Sequence, residues 1–272
     1  VIDGKDVLWG RGTVDMKAGV AVAVKLAAEL TEPGYDITWI WYDNEEVASE
    51  LNGLGRLATV SPELLQADFA ILGEPSNSTV EGGCNGTLRV EVRTHGVRAH
   101  SARAWKGENA IHKLAPALAA LAAYSPATVT VDGLDYREGL SAVGVSGGVA
   151  GNVIPDAAAL TVNYRFAPDK TVAQALAHVE EVFAGFEVVV TDSAEGARPG
   201  LTAALAQDFV SAVGAEPMPK YGWTDVARFS ALGIPAVNFG PGDPSLAHTD
   251  DERVLTSQIL ECERALRSWL SK

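Results

Sequence analysis

The chain has 272 residues, of which 47% are apolar and 21% charged, and carries a net charge of −14. That apolar share excludes a disordered chain, and a negative field of that size repels phosphate backbones, so nucleic acid is not expected as a partner. Cys84 and Cys262 are too few for a disulfide framework, and the longest apolar run, residues 114–124, is too short to cross a bilayer; a reducing cytoplasm is expected, with no membrane partner.

The sequence opens on VIDGKDVLWGRG, which reads like the middle of a protein, so an N-terminal portion is expected to be absent from it. Residues 17–30 (KAGVAVAVKLAAEL) are rich in Ala, Val and Leu and predict a largely buried helix. Residues 37–43 (ITWIWYD) are β-branched and aromatic and predict a strand, and 68–73 (DFAILG) predict a second. This alternation argues for an α/β layer with a mainly parallel sheet. Next come a predicted strand at 88–96, a helix at 109–124, strands at 141–150 and 159–167, a helix at 171–184 and a strand at 186–192. The order β-α-β-β-α-β is the ferredoxin-like split motif, one sheet with helices on one face. Residues 192–272 predict a helix near 201–213, a strand at 234–239 and a helix near 255–270. The expected fold class is α/β: a discontinuous domain of residues 1–87 and 192–272 with a mixed, mainly parallel sheet, into which the ferredoxin-like domain 88–191 is inserted.

Ligands of open α/β sheets bind beyond the carboxyl ends of strands, and four such places carry acids or a histidine. Asp15, in GRGTVDMKAG, follows a Gly-rich turn and precedes the first helix. It is either an acid favoured by the helix dipole or a carboxylate bridging metals. Glu45 and Glu46 directly follow the strand at 37–43. Adjacent carboxylates repel, and neighbouring side chains of an extended chain point apart, so one can bind a metal while the other faces a substrate. With Asp43 and Glu50 nearby, a solvated acidic turn is the alternative. Glu74, in ILGEPS, precedes Pro75 and on its own reads as an exposed loop residue. His248, in the loop GPGDPSLAHTDDE, reads alone as an unliganded histidine. Together, the aspartate, glutamates and histidine form a mixed N/O set suited to zinc or a similar ion. Shared carboxylates beside an adjacent glutamate suit a two-metal hydrolase, with metals about 3.5–4 Å apart.

His100, in HGVRAHSARAW, is either a surface histidine or part of a locally cationic loop with Arg98 and Arg103. Arg165, at the end of ALTVNYRF, is a candidate anion binder, because a guanidinium grips carboxylates with two hydrogen bonds. Asn152, in GGVAGNVIPD, can both donate and accept. The Gly-rich stretches match neither GxGxxG nor a Walker loop, and there is no GxSxG elbow.

The motifs GRGTVDMKAG, YDNEE, LGEPS, RAHSARAW, GNVIPD and GDPSLAH, in that order and over almost the whole chain, resemble the di-zinc amidohydrolase/aminoacylase family. The stretches LSAVGVSGGVAGNVIPDAA and KYGWTDVARFSALGIPAVNFGPGDP resemble its actinobacterial-type desuccinylase branch most. The resemblance implies zinc-dependent hydrolysis of an N-succinyl amino acid, with N-acetylornithine or another N-acyl amino acid as the alternative substrate. A non-catalytic dimerising module is the alternative from another class. It implies two zinc ions per intact subunit, with cobalt able to substitute. Asp15 would bridge them, Glu46 and His248 would hold one and Glu74 the other. Glu45 would be the general base and His100, from a partner subunit, the oxyanion stabiliser. Thr87, Asn152, Arg165 and Thr224 would contact the small anionic substrate. The inserted domain would be a lid through which a homodimer forms. The family's upstream His-x-Asp motif, which supplies the remaining zinc ligand, does not precede Asp15 here. The portion expected to be absent is roughly 80 residues and would include early sheet strands. A chain truly beginning at Val1 would bind one zinc or none and have little activity.

Overall fold

A computed structural model describes residues 1–2, 4–47 and 51–272; Glu50 lies outside them. The chain divides into two compact units. One comprises Val1–Cys84, Ala197–Lys220 and Thr224–Lys272, the other Asn85–Gly196 and Tyr221–Trp223.

In the second unit, Leu88, Val90 and Val92 alternate with Arg89, Glu91 and Arg93, the period of a strand with one apolar face. Strand Gly86–His95 turns the apolar set inwards. It pairs antiparallel with Ala157–Phe166 and with Glu187–Ala194, and Ala157–Phe166 pairs antiparallel with Gly139–Gly147. Numbered along the chain, the strands lie in the order fourth, first, third, second. Ala110, Leu114 and Ala117 share one core with Ala175, Val179, Phe183 and the inward residues of the sheet, so the helices cover a single face, as the split motif requires. The helix predicted at 109–124 is two helices, Ala110–Lys113 and Ala115–Ala123, and Pro116 sits in the first turn of the second. Proline has no N–H and is tolerated at such a start, but not within a continuous helix. The hairpin Thr128–Val131/Leu134–Arg137 escaped the sequence reading. Its signal is Asp132-Gly133 between apolar neighbours, and both residues take positive φ (48° and 89°), the backbone a two-residue hairpin turn needs.

In the first unit, the predicted helix at 17–30 forms as Ala18–Glu29. The sheet is small and mixed, in the order Met218–Pro219, Glu81–Gly82, Ala236–Asn238, Ala70–Leu72, with the outer pairs parallel and the central pair antiparallel. Helices Ala18–Glu29, Ala204–Val213 and Thr256–Leu270 contribute Val22, Leu26, Phe209, Cys262 and Trp269 to its core, against Val237 and Phe239.

Residues 37–43 correct the sequence reading: the structure assigns them to no strand. Ile37 and Trp39 still pack against the core, and the segment lines, together with residues 69–72, a cavity of about 790 Å³. Composition reports that a segment suits a half-buried surface. A strand further needs a neighbouring strand offering N–H and C=O groups along its edge, and among the described residues no strand pairs with this segment.

Two glycines bring the site-bearing elements together. A Cβ on Gly19 would stand 2.1 Å from the Gly73 carbonyl oxygen, and one on Gly240 would stand 2.5 Å from the same atom. The helix that follows Asp15 therefore touches the backbone just before Glu74 with nothing between them. We expect Gly19→Ala to lower stability by about 1–3 kcal/mol, the usual cost of overpacking. The check is urea unfolding: the midpoint should fall with the slope unchanged, and an unmoved midpoint would remove this contact from the account.

Candidate metal centre

Asp15 lies in the five-residue turn Thr13–Lys17, whose entry residue Gly12 has φ 77°. The turn is fastened from a distance. Glu252, 2% exposed, accepts hydrogen bonds from the backbone N–H groups of Val14 (3.1 Å) and Asp15 (3.3 Å). Burial alone would raise the Glu252 carboxyl; the N–H groups of Gly12, Asp15 and Val14, with the charge of Arg11, outweigh it and hold the group below its ordinary range.

His248 arrives on the loop after Ala236–Asn238, with φ 60°. That is the left-handed region, uncommon for a side-chain-bearing residue and often found at functional sites. Its Nε2 lies 3.4 Å from Asp15 Oδ2 and 3.1 Å from Glu46 Oε1. One ligand atom from each of Asp15, Glu46 and His248 falls within 4.8 Å of the others. Two ligand atoms at tetrahedral corners, each about 2.1 Å from zinc, are roughly 3.4 Å apart, so these separations match what one ion would need.

Glu74, just beyond strand Ala70–Leu72, is 8% exposed and stands outside that three-residue cluster. Burial, then the charge of Glu45, pushes its carboxyl up to about 8 against the opposing pull of Lys220. Lys220 is itself buried; it donates to the Pro75 carbonyl (3.0 Å) and lies 2.9 Å from Glu81. Glu45 is half-buried and rises to about 7, through burial first and then the charges of Asp225, Glu46 and Asp15, with Arg228 opposing. Glu46 is raised by burial and by Asp15, with His248 opposing. Carboxylates thus accumulate where the nearby protein cations do not neutralise them. A bound dication would reverse the repulsion, and a donor set of carboxylate oxygens and one imidazole nitrogen suits zinc or a similar ion.

The other predicted residues are placed as follows. Thr224 belongs to the first unit; it is 3% exposed, and its hydroxyl donates to Asn238 Oδ1 (3.0 Å). Thr87, His100, Asn152 and Arg165 belong to the second unit. Thr87 and Arg165 face each other across paired strands, and Asn163 donates to the Thr87 hydroxyl (3.1 Å). This places them on the sheet face opposite the helices. His100 pairs with Val153, its Nδ1 accepts from the Ala102 N–H (3.1 Å), and the Asn152 carbonyl accepts from Ser101, so the His100 and Asn152 loops adjoin. Cys84 is fully buried and serves packing.

The sequence reading missed Glu252, Lys220, Asn52 and Asp225, all buried. Only the acidic run Asp250-Asp251-Glu252 hinted at the first, and it looks like a solvated turn.

The sequence profile of peptidase family M20/M25/M40 matches residues 1–272. The chain belongs to this family. The M20/M25/M40 chain is 57% identical over 267 residues to a putative succinyl-diaminopimelate desuccinylase of Mycobacterium tuberculosis, covering 97% of this chain and 75% of that protein. It is 50% identical over 275 residues to a succinyl-diaminopimelate desuccinylase of Corynebacterium glutamicum, covering 98% and 74%. Its fold resembles that of an M20 metallo-carboxypeptidase from Sulfolobus solfataricus (TM-score 0.74, 17% identity, 100% of this chain and 78% of that one). A tripeptidase from Staphylococcus aureus is similar in fold (TM-score 0.72, 21% identity, 100% and 77%).

Proposed function

We propose that this M20/M25/M40 chain carries the zinc-dependent hydrolysis of N-succinyl-LL-2,6-diaminopimelate to succinate and LL-2,6-diaminopimelate, a step toward lysine and cell-wall precursors. The observation that carries this reading is the 57% identity over 97% of the chain with a relative named for that activity. The Asp15–Glu46–His248 cluster supports it.

Asp15, Glu46, Glu74 and His248 are the residues that would hold zinc, with cobalt as a substitute. When bound, the metal supplies Lewis acidity that polarises an amide carbonyl and makes water easier to deprotonate. Glu45 takes the proton from the attacking water and passes it to the leaving amine. Its half-buried position keeps it basic enough for the first transfer and acidic enough for the second. His100, supplied by a second copy, donates to the developing oxyanion. Arg165 meets a substrate carboxylate, with Thr87, Asn152 and Thr224 as further contacts. Homodimerisation through the Asn85–Gly196 unit is supported by strand Gly139–Gly147, a sheet edge that leaves Val143 61% and Val145 66% exposed. No helix of the described residues is long and apolar enough to cross a membrane, and the cytoplasm is the proposed location.

The test is side-by-side hydrolysis of succinyl-diaminopimelate and N-acetylornithine by the zinc-loaded protein. We expect kcat/KM to favour the succinyl substrate by at least about 100-fold, because a site that pairs a substrate's polar group discriminates strongly against an analogue that lacks it. A preference for acetylornithine would overturn the substrate assignment.

A further inference from the structure

Asp225 is fully buried and immediately follows Thr224 at the start of helix Val226–Ala231. Its two carboxylate oxygens are used by different partners. Arg228 Nε donates to Oδ1 (2.5 Å), and Asn52 Nδ2 donates to Oδ2 (2.9 Å) from 173 residues away in sequence. Asn52 is equally committed: it is 1% exposed, and its Oδ1 caps helix Gly53–Val60 by accepting from the Gly55 N–H (2.8 Å). On the other side of the Glu45-Glu46 pair, the Tyr42 side chain stands close enough to Asp225 that its carboxylate, after burial, pushes the Tyr42 hydroxyl up from its ordinary range. Asp43 and Gly53 meet directly, the Gly53 N–H donating to the Asp43 carbonyl (3.0 Å). A Cβ on Gly53 would come within 2.9 Å of that oxygen, so the two ends of the segment are held in backbone contact.

A buried carboxylate is costly unless every lone pair is used. Here the donors are Asn52 and Arg228, which supplies the counter-charge, and Tyr42 stands near the carboxylate from the other side of Glu45 and Glu46. We propose that Asp225 is a positioning residue, whose buried carboxylate ties down both ends of the segment that presents Glu45 and Glu46. Arg228 fixes the carboxylate, and the carboxylate fixes the segment. This rests on the reading of Glu45 as base and Glu46 as metal ligand. Its consequence extends to metal binding, because Glu46 must sit where His248 Nε2 is 3.1 Å away.

The test uses Asp225→Asn, which keeps the shape but turns one acceptor into a donor, and Tyr42→Phe, which deletes one hydroxyl. Three quantities are read on the folded protein: kcat and KM for the succinyl substrate, zinc affinity by competition with a chelating dye, and the thermal midpoint. Both variants should lower kcat by about 10–100-fold, the scale of a misplacement near 1 Å, with KM within about twofold. Both should weaken zinc binding by about tenfold or more, as removal of a ligand-orienting partner does. The double variant should be little worse than Asp225→Asn alone, because the two act through one contact. A lowered midpoint with kcat, KM and zinc affinity unchanged would make Asp225 a stability residue only and overturn the proposal. If the parent protein does not hydrolyse the succinyl substrate but the variants still lose zinc affinity, the function falls and the positioning role stands. Should Asp225→Asn not fold, Tyr42→Phe alone decides: unchanged zinc affinity and kcat overturn the proposal.

Discussion

Glu45→Gln in the intact zinc-loaded enzyme is expected to lower kcat by about 100-fold or more, the usual loss on removing a general base, while zinc bound per chain stays the same. Glutamine keeps the shape of the side chain and cannot accept a proton at neutral pH. The setting of Glu45 explains why the loss should fall on kcat. It is half-buried, and burial together with the charges of Asp225, Glu46 and Asp15 lifts its carboxyl to about 7. Each cation bound nearby would draw that value down again. It also stands outside the three-residue metal cluster, which contains its neighbour Glu46 instead. Steady-state kinetics with metal analysis of the same sample check this. Unchanged turnover would remove Glu45 from the mechanism, and lost zinc would make it a ligand.

Asp15→Asn should have two effects of opposite sign. Zinc affinity is expected to fall by more than about 100-fold, since even outer partners of metal ligands cost 10–100-fold and Asp15 touches the cluster directly. The metal-free protein should nonetheless keep or raise its thermal midpoint. The Asp15 charge works against Glu45, Glu46 and Glu74 alike, so removing it relieves three repulsions and gives up one contact with His248, 3.4 Å away. Calorimetry on metal-free and zinc-loaded samples separates the two effects. A lower metal-free midpoint would mean that Asp15 is retained for structure.

Much of this site was legible before any coordinates. Asp15, Glu46 and His248 lie 31 and 202 residues apart in sequence, yet each follows a segment whose pattern predicted a strand or a Gly-rich turn, and ligand sites gather at such ends. Glu74 was legible in position and not in character. ILGEPS reads as an exposed loop, whereas the side chain is 8% exposed. Burial of a loop residue depends on what packs over it, here the close approach of Gly19 and Gly240 to Gly73. Asp225 and Asn52 were not legible, because an isolated Asp or Asn looks solvated until its partner is known, and the partners are 173 residues apart. Residues 37–43 differ in the opposite sense: the local preference for a strand is present, and among the described residues no strand pairs with them.

The sequence by itself determined most of the elements: the ferredoxin-like run of strands and helices, apart from the added hairpin and the split of one helix, and the main helices and short strands on either side. These follow from side-chain periods of two and about 3.6 residues, which short-range geometry writes into any window of the chain. Only the tertiary structure decided which polar side chains are buried and which of them share one carboxylate. Those outcomes depend on the solvation and hydrogen-bond partners that distant segments provide on packing, and no local period in the sequence reports them.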